Sequence, residues 1–369
     1  MDEAGGGTAD EAAADEAAAD WFRRRTSRWR DWPVADLIAR KKQQDLRVSV
    51  VIPARNEERT VADVVSAIRR LKVGTGLVDE LVVIDSDSTD ATARIAAAAG
   101  ATVHAARDIA PELGAYRGKG EALWKSLLVT KGDIVVFIDA DLTRWGPHFV
   151  TGLLGPLLAA PGVQLVKGFY ERLYSRTPLG SPSSPPVSAA APAQPGDESA
   201  AQMVMATSTA LSSGAGAGAD DDGSVSADGG RVTELVARPL LSLWWPELTS
   251  VVQPLAGEWA ARRELMESLP IPVGYGIEIA VLLDTAREHG LDAIAQVDLG
   301  SRGHKHQSSH DLALMAAELM LVADRRRPGV PPPPEAADLR QFTRQHGEMR
   351  PRVRPVPSAE RPPARSVRP

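Results

Sequence analysis

The chain has 369 residues and a formal net charge of −6, so no global basic field argues for nucleic acid, and an anionic substrate has to be held by local cations. With 43% hydrophobic residues it can bury a sizeable core, and with no cysteine it excludes a disulfide framework and thiolate metal sites and fits a reducing compartment. The acidic, Ala-rich start MDEAGGGTADEAAADEAAAD lacks the basic start and apolar run of a signal peptide, and no apolar stretch reaches the roughly 20 residues of a membrane span. These features predict a soluble, cytoplasmic protein.

In chain order, residues 1–20 read as a disordered or weakly helical leader, and 21–45 as an arm carrying Trp21, Phe22, Trp29 and Trp32 that packs on a domain surface and includes the helix VADLIARKKQ. RVSVVIPA at 47–54 is a near-continuous apolar run rich in β-branched residues, the pattern of a strand buried on both faces of a parallel sheet. A helical pattern follows, then the strand ELVVIDS, a helix closed by Gly100, the short strand ATVHAA, the helix GKGEALWKSLLVTKG with its own Gly stop, and the strand DIVVFIDAD. Strands alternating with helices predict an α/β fold with a mostly parallel, Rossmann-like sheet flanked by helices, whose ligands sit at the carboxyl ends of strands. Order resumes at VQLVKGFYERLY. The stretch from about 177 to 229, with SPSSPP, GAGAGA and DDDG, predicts a flexible insertion. Residues 230–325 return to apolar periodicity, with a helix in GYGIEIAVLLDTAREHG, a strand in AIAQVDLG, a loop SRGHKHQ and a last helix from about 309 to 325. The Pro- and Arg-rich tail 326–369 reads as disordered. The expected parts are therefore 1–45 (leader and arm), 46–175 (nucleotide-binding part), 176–229 (insertion), 230–325 (acceptor part) and 326–369 (tail).

Asp139 and Asp141 end an apolar strand at i and i+2, where the chain turns and one carboxylate can reach a metal and the other a ribose or a water. Such charge needs a compensating cation, and a hard ion such as Mg²⁺ or Mn²⁺ takes one or two carboxylates and completes its shell with diphosphate oxygens. An exposed acidic turn is the alternative. His304 follows a predicted strand and suits a transition metal or mixed site, or is simply solvated, and Arg302 and Lys305 beside it are cations suited to phosphate. Lys119 opens a helix whose N–H groups favour an anion, although the spacing is not a Walker motif. Gly230-Arg231-Val232-Thr233 makes a donor-rich turn suited to a phosphate or carboxylate, or a plain helix cap. Glu278, one turn past Tyr275, either answers the helix dipole or accepts a sugar hydroxyl, and spacing alone favours the dipole.

Taken together, Pro53–Glu58, Ile84–Asp90, Gly118–Trp124, Asp139–Asp141, Val166–Tyr170, Gly230–Leu235, Gln253–Glu258, Gly274–Ile279 and Arg302–His304 closely resemble, in this order, the actinobacterial glucosyl-3-phosphoglycerate synthases. These are retaining transferases of the GT-A fold, related to the mannosyl-3-phosphoglycerate synthases, and the resemblance covers about 47–175 and 230–322. It implies that Pro53, Ala54, Arg55, Glu57 and Ser86 line a uridine pocket with Lys119 and Asp139 beside them. It implies that Asp141 and His304 bind the divalent metal with the diphosphate of UDP-glucose. Arg231, Val232 and Thr233 would hold the phosphate or carboxylate of 3-phosphoglycerate. Tyr275, Glu278 and Arg302 would contact sugar and acceptor, and the Leu255 carbonyl would lie near the anomeric carbon. The 2-hydroxyl of 3-phosphoglycerate would attack from the face that the leaving group vacates, with metal and Arg302 stabilising the departing diphosphate, which itself takes the acceptor proton. No obvious carboxylate nucleophile for double displacement stands out. A homodimer is implied by the resemblance only.

Three features depart from the family pattern. His306 stands where the family often has Asn, the insertion sits directly before Gly230, and the basic tail has no clear family role. A GDP-sugar, mannose-type donor remains an alternative, because base and sugar selectivity depend on pocket shape. A non-catalytic nucleotide-sugar sensor is argued against by the intact set Asp139, Asp141, His304, Arg302 and Glu278, and a membrane-bound polymerising synthase by the lack of a spanning segment.

Overall fold

The structure, a computed structural model, describes residues 6–173, 230–303, 309–333, 337–345 and 347–367. The first half runs α1 (Gly6–Arg25), β1 (Thr26–Arg28), α2 (Val34–Gln43), β2 (Val48–Ala54), α3 (Val61–Thr75), β3 (Glu80–Asp85), α4 (Thr92–Ala99), β4 (Thr102–Ala105), α5 (Lys119–Val129), β5 (Ile134–Phe137), α6 (His148–Ala159) and β6 (Leu165–Leu173). The second half opens with a π turn, Thr233–Ala237, that runs into α7 (Arg238–Trp244). It continues through β7 (Trp259–Arg262), α8 (Arg263–Ser268), β8 (Ile271–Pro272), α9 (Ile277–His289), β9 (Ile294–Gly303), α10 (Ser309–Arg325), β10 (Ala337–Gln345), β11 (Glu348–Val356) and β12 (Glu360–Arg361).

Among the described residues, eight strands form one sheet in the order β1-β9-β6-β7-β5-β2-β3-β4. Only β7 runs against its neighbours, pairing antiparallel with both β5 and β6. The apolar run of β2 has a structural cause: Val48, Val50 and Ile52 face one core with α3 and α6, while Val51 faces the other with α5 and α9. Val82 and Ile84 of β3, and Val135 and Phe137 of β5, alternate in the same way, so helices cover both faces of the sheet. This is the expected α/β, GT-A-type architecture. Because β2, β3 and β5 are parallel in register, with Ala54 opposite Asp85 and Val51 opposite Phe137, their carboxyl ends meet at one edge. The reversed β7 begins at that same edge, with Trp259 opposite Phe137, and so brings the preceding Leu255–Glu258 segment there.

The tryptophan arm packs as expected. Trp21 is buried and its Nε1 donates to the Leu291 carbonyl at 3.0 Å, while the rings of Trp29 and His148 lie 4.5 Å apart. Two expectations need correction. α5 ends at Val129 with Thr130 already extended; Gly132 is not its stop but packs against Ser49, where it leaves no room for a Cβ. The tail beyond Arg326 is not disordered where it is described. β10 and β11 pair antiparallel, and β12 adds to β8 with Glu360 opposite Pro272 and Arg361 opposite Ile271. For β12 a Pro- and Arg-rich composition concealed this because the contacts that hold it lie far away in sequence: Arg361 forks onto Glu121, and Trp124 Nε1 donates to the Pro362 carbonyl at 2.8 Å. The expected insertion at 176–229 lies outside the described residues. No helix among the described residues is long and apolar enough to cross a membrane.

Candidate active site

A cleft of about 400 Å³ opens at the carboxyl edge of β2, β3 and β5. Pro53, Ala54, Arg55 and Glu57 line it from β2, Ser86 from β3, Gly118 and Lys119 from the start of α5, and Asp139, Ala140 and Asp141 from the end of β5. Tyr275 and Met315 close it from the second half of the chain. Every residue that the sequence places on the nucleotide side is thus drawn into one cavity, together with Asp141.

The carboxylates of the neighbouring turns serve a different purpose. Asn56 and Asp87 adopt left-handed backbone at φ 56° and 57°, conformations that Asn and Asp tolerate better than most residues. The two turns then lock together. Thr89 N–H donates to Asn56 Oδ1 at 2.8 Å, Glu57 N–H to Thr92 Oγ1 at 2.8 Å, and Ala91 N–H to Glu58 Oε2 at 3.1 Å. Asp85 accepts from Ser88 N–H and Asp90 from Glu58 N–H. The acidic motifs after β2 and β3 therefore fix the cleft wall.

Lys119 is the hub of the cleft floor. Its Nζ lies 2.6 Å from Asp139 and 2.7 Å from Glu278, which sits in the first turn of α9 with its side chain 3% exposed. Burial alone would lower the lysine pKa, but Asp139 and Glu278 outweigh it and hold the ammonium well above its ordinary value. The expected anion site at the start of α5 is corrected here: Gly120 N–H and Glu121 N–H donate to the carbonyls of Gly274 and Val273, so these amides are already used. Gly118 permits that approach, since at φ 148° a Cβ would stand 2.1 Å from the Val273 oxygen. Glu278 does stand in the first turn of α9, where the dipole favours a carboxylate, and there it also forms a buried ion pair with Lys119. Gly257 lies beneath the pair, where a Cβ would meet Asp139 Oδ2 at 2.2 Å.

Behind Asp139 stands Arg302, near the end of β9 and 5% exposed. Its Nη1 donates to Glu258 at 2.5 Å and to the Tyr170 hydroxyl at 2.8 Å, and its guanidinium comes within 3.7 Å of both Asp139 and Asp141. Burial would lower its pKa, yet Glu258, Tyr170 and the two aspartates more than offset this, so it stays charged. Glu258 is fully buried, which pushes its carboxyl upward against the pull of Arg302. Lys167, also buried, donates to the Ala256 carbonyl at 2.9 Å and stands 5.6 Å from the Trp259 ring centroid. Burial lowers its pKa to about 8. Gln253 exchanges bonds with the Tyr170 backbone, accepting from its N–H and donating to its carbonyl, so Leu255 sits in a segment pinned on both sides. Glu258, Tyr170 and Lys167 stand in sequence motifs without an assigned role, because only the fold shows what they face.

Arg231 is exposed while Val232 and Thr233 are buried, at the start of the helical stretch that leads into α7. His304, Lys305 and His306 lie outside the described residues. The strand that leads to them ends at Gly303, whose N–H donates to the Thr143 carbonyl at 2.7 Å, two residues past Asp141. The oxygen donors present suit a hard divalent cation: Asp139 and Asp141 keep 23% and 28% of their side chains exposed in the cleft. Lys119 engages Asp139 at 2.6 Å, and Arg302 stands 3.7 Å from both carboxylates. Among the described residues no cluster of three or more metal-ligating side chains occurs, so a cation here would need ligands from the substrate or from residues outside them.

Residues 49–182 match the glycosyl transferase family 2 model. Glucosyl-3-phosphoglycerate synthase of Mycolicibacterium smegmatis is 44% identical over 338 residues, covering 92% of this chain and 95% of that one. The crystal structure of glucosyl-3-phosphoglycerate synthase from Mycobacterium tuberculosis with Mn²⁺ and UDP-glucose superposes with a TM-score of 0.71 at 40% identity, covering 91% of this chain and 96% of that chain. The same enzyme with Mn²⁺, UDP and phosphoglyceric acid gives a TM-score of 0.72 over the same shares. With this cleft, this sheet and this degree of identity along nearly its whole length, the chain belongs to the glucosyl-3-phosphoglycerate synthase family of glycosyltransferases.

Proposed function

We propose that this chain is a retaining glucosyltransferase that moves glucose from UDP-glucose to the 2-hydroxyl of 3-phospho-D-glycerate, releasing UDP. The observation that carries this reading is the gathering of Pro53, Ala54, Arg55, Glu57, Ser86, Lys119, Asp139 and Tyr275 in one cleft with Asp141. The Mycobacterium tuberculosis enzyme, 40% identical with nearly full coverage, is seen in complex with Mn²⁺ and UDP-glucose and with Mn²⁺, UDP and phosphoglyceric acid, which supports the same substrates here.

The residues divide the work by charge and position. Pro53–Glu57 and Ser86, on locked turns, take the uridine. Asp141, with His304, would hold Mg²⁺ or Mn²⁺, which when bound neutralises the diphosphate oxygens. Arg302, kept charged by Glu258 and 3.7 Å from both Asp139 and Asp141, would stabilise charge on the same oxygens as the glycosidic bond breaks. Glu278 and Tyr275 orient the glucose, with Lys119 fixing Glu278 against Asp139. Arg231, Val232 and Thr233 receive the acceptor anion at the start of a helical stretch. Lys167 and Gln253 hold the Leu255–Ala256 backbone, which supports a fixed Leu255 carbonyl that would stand near the anomeric carbon. The acceptor hydroxyl forms the new C1–O bond on the face from which the C1–O bond to diphosphate breaks, and the leaving oxygen takes its proton.

We also infer a cytoplasmic homodimer. The lack of cysteine supports the compartment, and exposed Phe342, Met349 and Val353 on β10 and β11 supply apolar surface that a second copy would cover. Light scattering on the purified protein tests the dimer; a monomer at all concentrations would exclude it. The reaction is tested by a donor-by-acceptor matrix followed by nucleotide release. UDP should appear only with UDP-glucose, 3-phosphoglycerate and a divalent cation. Preferential turnover of GDP-mannose, or release with none of the phosphorylated acceptors, would overturn the assignment.

A further inference from the structure

The tail, which the tryptic look of its Pro- and Arg-rich sequence disguises, ends in contacts unlike those of a surface strand. Arg361 is 6% exposed although it lies within ten residues of the end of the chain. Its Nε and Nη2 donate to Glu121 Oε2 and Oε1 at 2.7 Å each, a bidentate fork of the strong kind. The remaining donors reach backwards along the loop before α5: Nη1 to the Leu113 carbonyl at 2.7 Å and Nη2 to the Gly114 carbonyl at 3.0 Å. The guanidinium also stands 4.6 Å from the Tyr116 ring centroid and 4.9 Å from that of Trp124. One side chain thus clamps the loop that precedes Lys119 onto the helix that follows it.

The backbone of the same strap holds a second segment. β12 pairs with β8, and Val273 N–H donates to the Ala359 carbonyl at 3.0 Å. Val273 and Gly274 in turn accept from Glu121 N–H and Gly120 N–H, immediately after Lys119 and immediately before Tyr275. The far end is anchored by Arg326, which joins Glu360 to Asp284 of α9 at 2.8 Å each. The strap therefore lies behind the two backbone segments from which Lys119 and Tyr275 enter the cleft, and touches both.

We propose that residues 359–362, with Arg361 at their centre, are a positioning element of the donor site: they fix Lys119 and Tyr275 in the places from which these residues meet the nucleotide-sugar. Arg361 touches no substrate itself. It acts by preorganising two walls of the cleft, which meet also through the backbone bonds of α5 to Val273–Gly274 and the Lys119–Glu278 pair. This inference rests on the donor reading above and assigns residues 359–362 to that site.

The test measures Kd for UDP in the presence of Mn²⁺ by calorimetry, with KM for UDP-glucose and for 3-phosphoglycerate, on the full chain and on Arg361→Ala, Arg361→Lys and Glu121→Gln. Leu71→Ala, a core substitution in α3 away from the strap, serves as the control for general destabilisation. Arg361→Ala should weaken UDP binding and raise the UDP-glucose KM by roughly 10- to 100-fold, leaving the acceptor KM within about twofold. Arg361→Lys should recover part of that affinity, because it keeps the charge on Glu121 but not the fork. Leu71→Ala should lower the melting temperature yet keep the wild-type Kd. Wild type that binds UDP, with Arg361→Ala binding it equally well, overturns the strap alone; should Arg361→Ala not fold, unchanged affinity in Arg361→Lys and Glu121→Gln does the same. Wild type that binds no UDP overturns the donor reading and the strap with it.

Discussion

Replacing Lys119 with methionine tests the electrostatic centre of the cleft. The side chain keeps its length and apolar stem but loses the charge that lies 2.6 Å from Asp139 and 2.7 Å from Glu278. The two carboxylates do not suffer equally. Asp139 is 23% exposed and retains Arg302 at 3.7 Å, so water and a second cation compensate it. Glu278 is 3% exposed, and breaking a buried pair from one side costs about 3–5 kcal/mol because it strands the other charge. Nearly all of the loss should therefore come from Glu278. The assay is urea unfolding of wild type, Lys119→Met, Glu278→Gln and the double variant, read as a shift in midpoint at constant slope. Lys119→Met should lose about 3–5 kcal/mol. Adding Glu278→Gln should restore about 2 kcal/mol or more, since the stranded charge is gone. A loss below about 1 kcal/mol, or strict additivity of the two substitutions, would refute the buried-pair reasoning.

Three further outcomes follow from the same geometry. Asp141→Ala should lower UDP release by about a hundredfold or more while leaving thermal stability near wild type, as expected of a partly exposed metal ligand; full activity would exclude its role. Arg231→Ala should raise the 3-phosphoglycerate KM by roughly tenfold with UDP affinity unchanged, and an unchanged acceptor KM would remove Arg231 from that site. Lys167 gives a pH signature: its folded pKa is about 8 against an ordinary 10.5, so between these values the unfolded chain holds the proton more tightly and stability rises with pH. Measured against Lys167→Met, wild type should gain about 1.4 kcal/mol per pH unit across that window and be flat below it, whereas a difference that stays level to pH 10 would contradict the shift.

Much of the fold was legible because it is written in local patterns. The unbroken apolar runs of β2, β3 and β5 follow from burial on both sheet faces, and that alone points ligands to one edge. The donor cleft was legible through the residues at those strand ends. What escaped are pairings between residues far apart. Glu258 and Tyr170 reach Arg302 across 44 and 132 positions, and Arg361 reaches Glu121 across 240, and no spacing rule connects them. Residue type misled in one place: the start of α5 has the glycines and free helix amides of an anion site, yet its amides bond to the Val273–Gly274 backbone.

The most direct measurement follows the anomeric proton by NMR while the enzyme turns over UDP-α-glucose with 3-phosphoglycerate and Mn²⁺. Retaining transfer to 3-phosphoglycerate gives an α-linked glucosyl-3-phosphoglycerate, joined through the 2-hydroxyl, growing in step with UDP and absent when 3-phosphoglycerate is left out. A β-linked product, or UDP appearing alongside free glucose at the same rate with and without 3-phosphoglycerate, would contradict it.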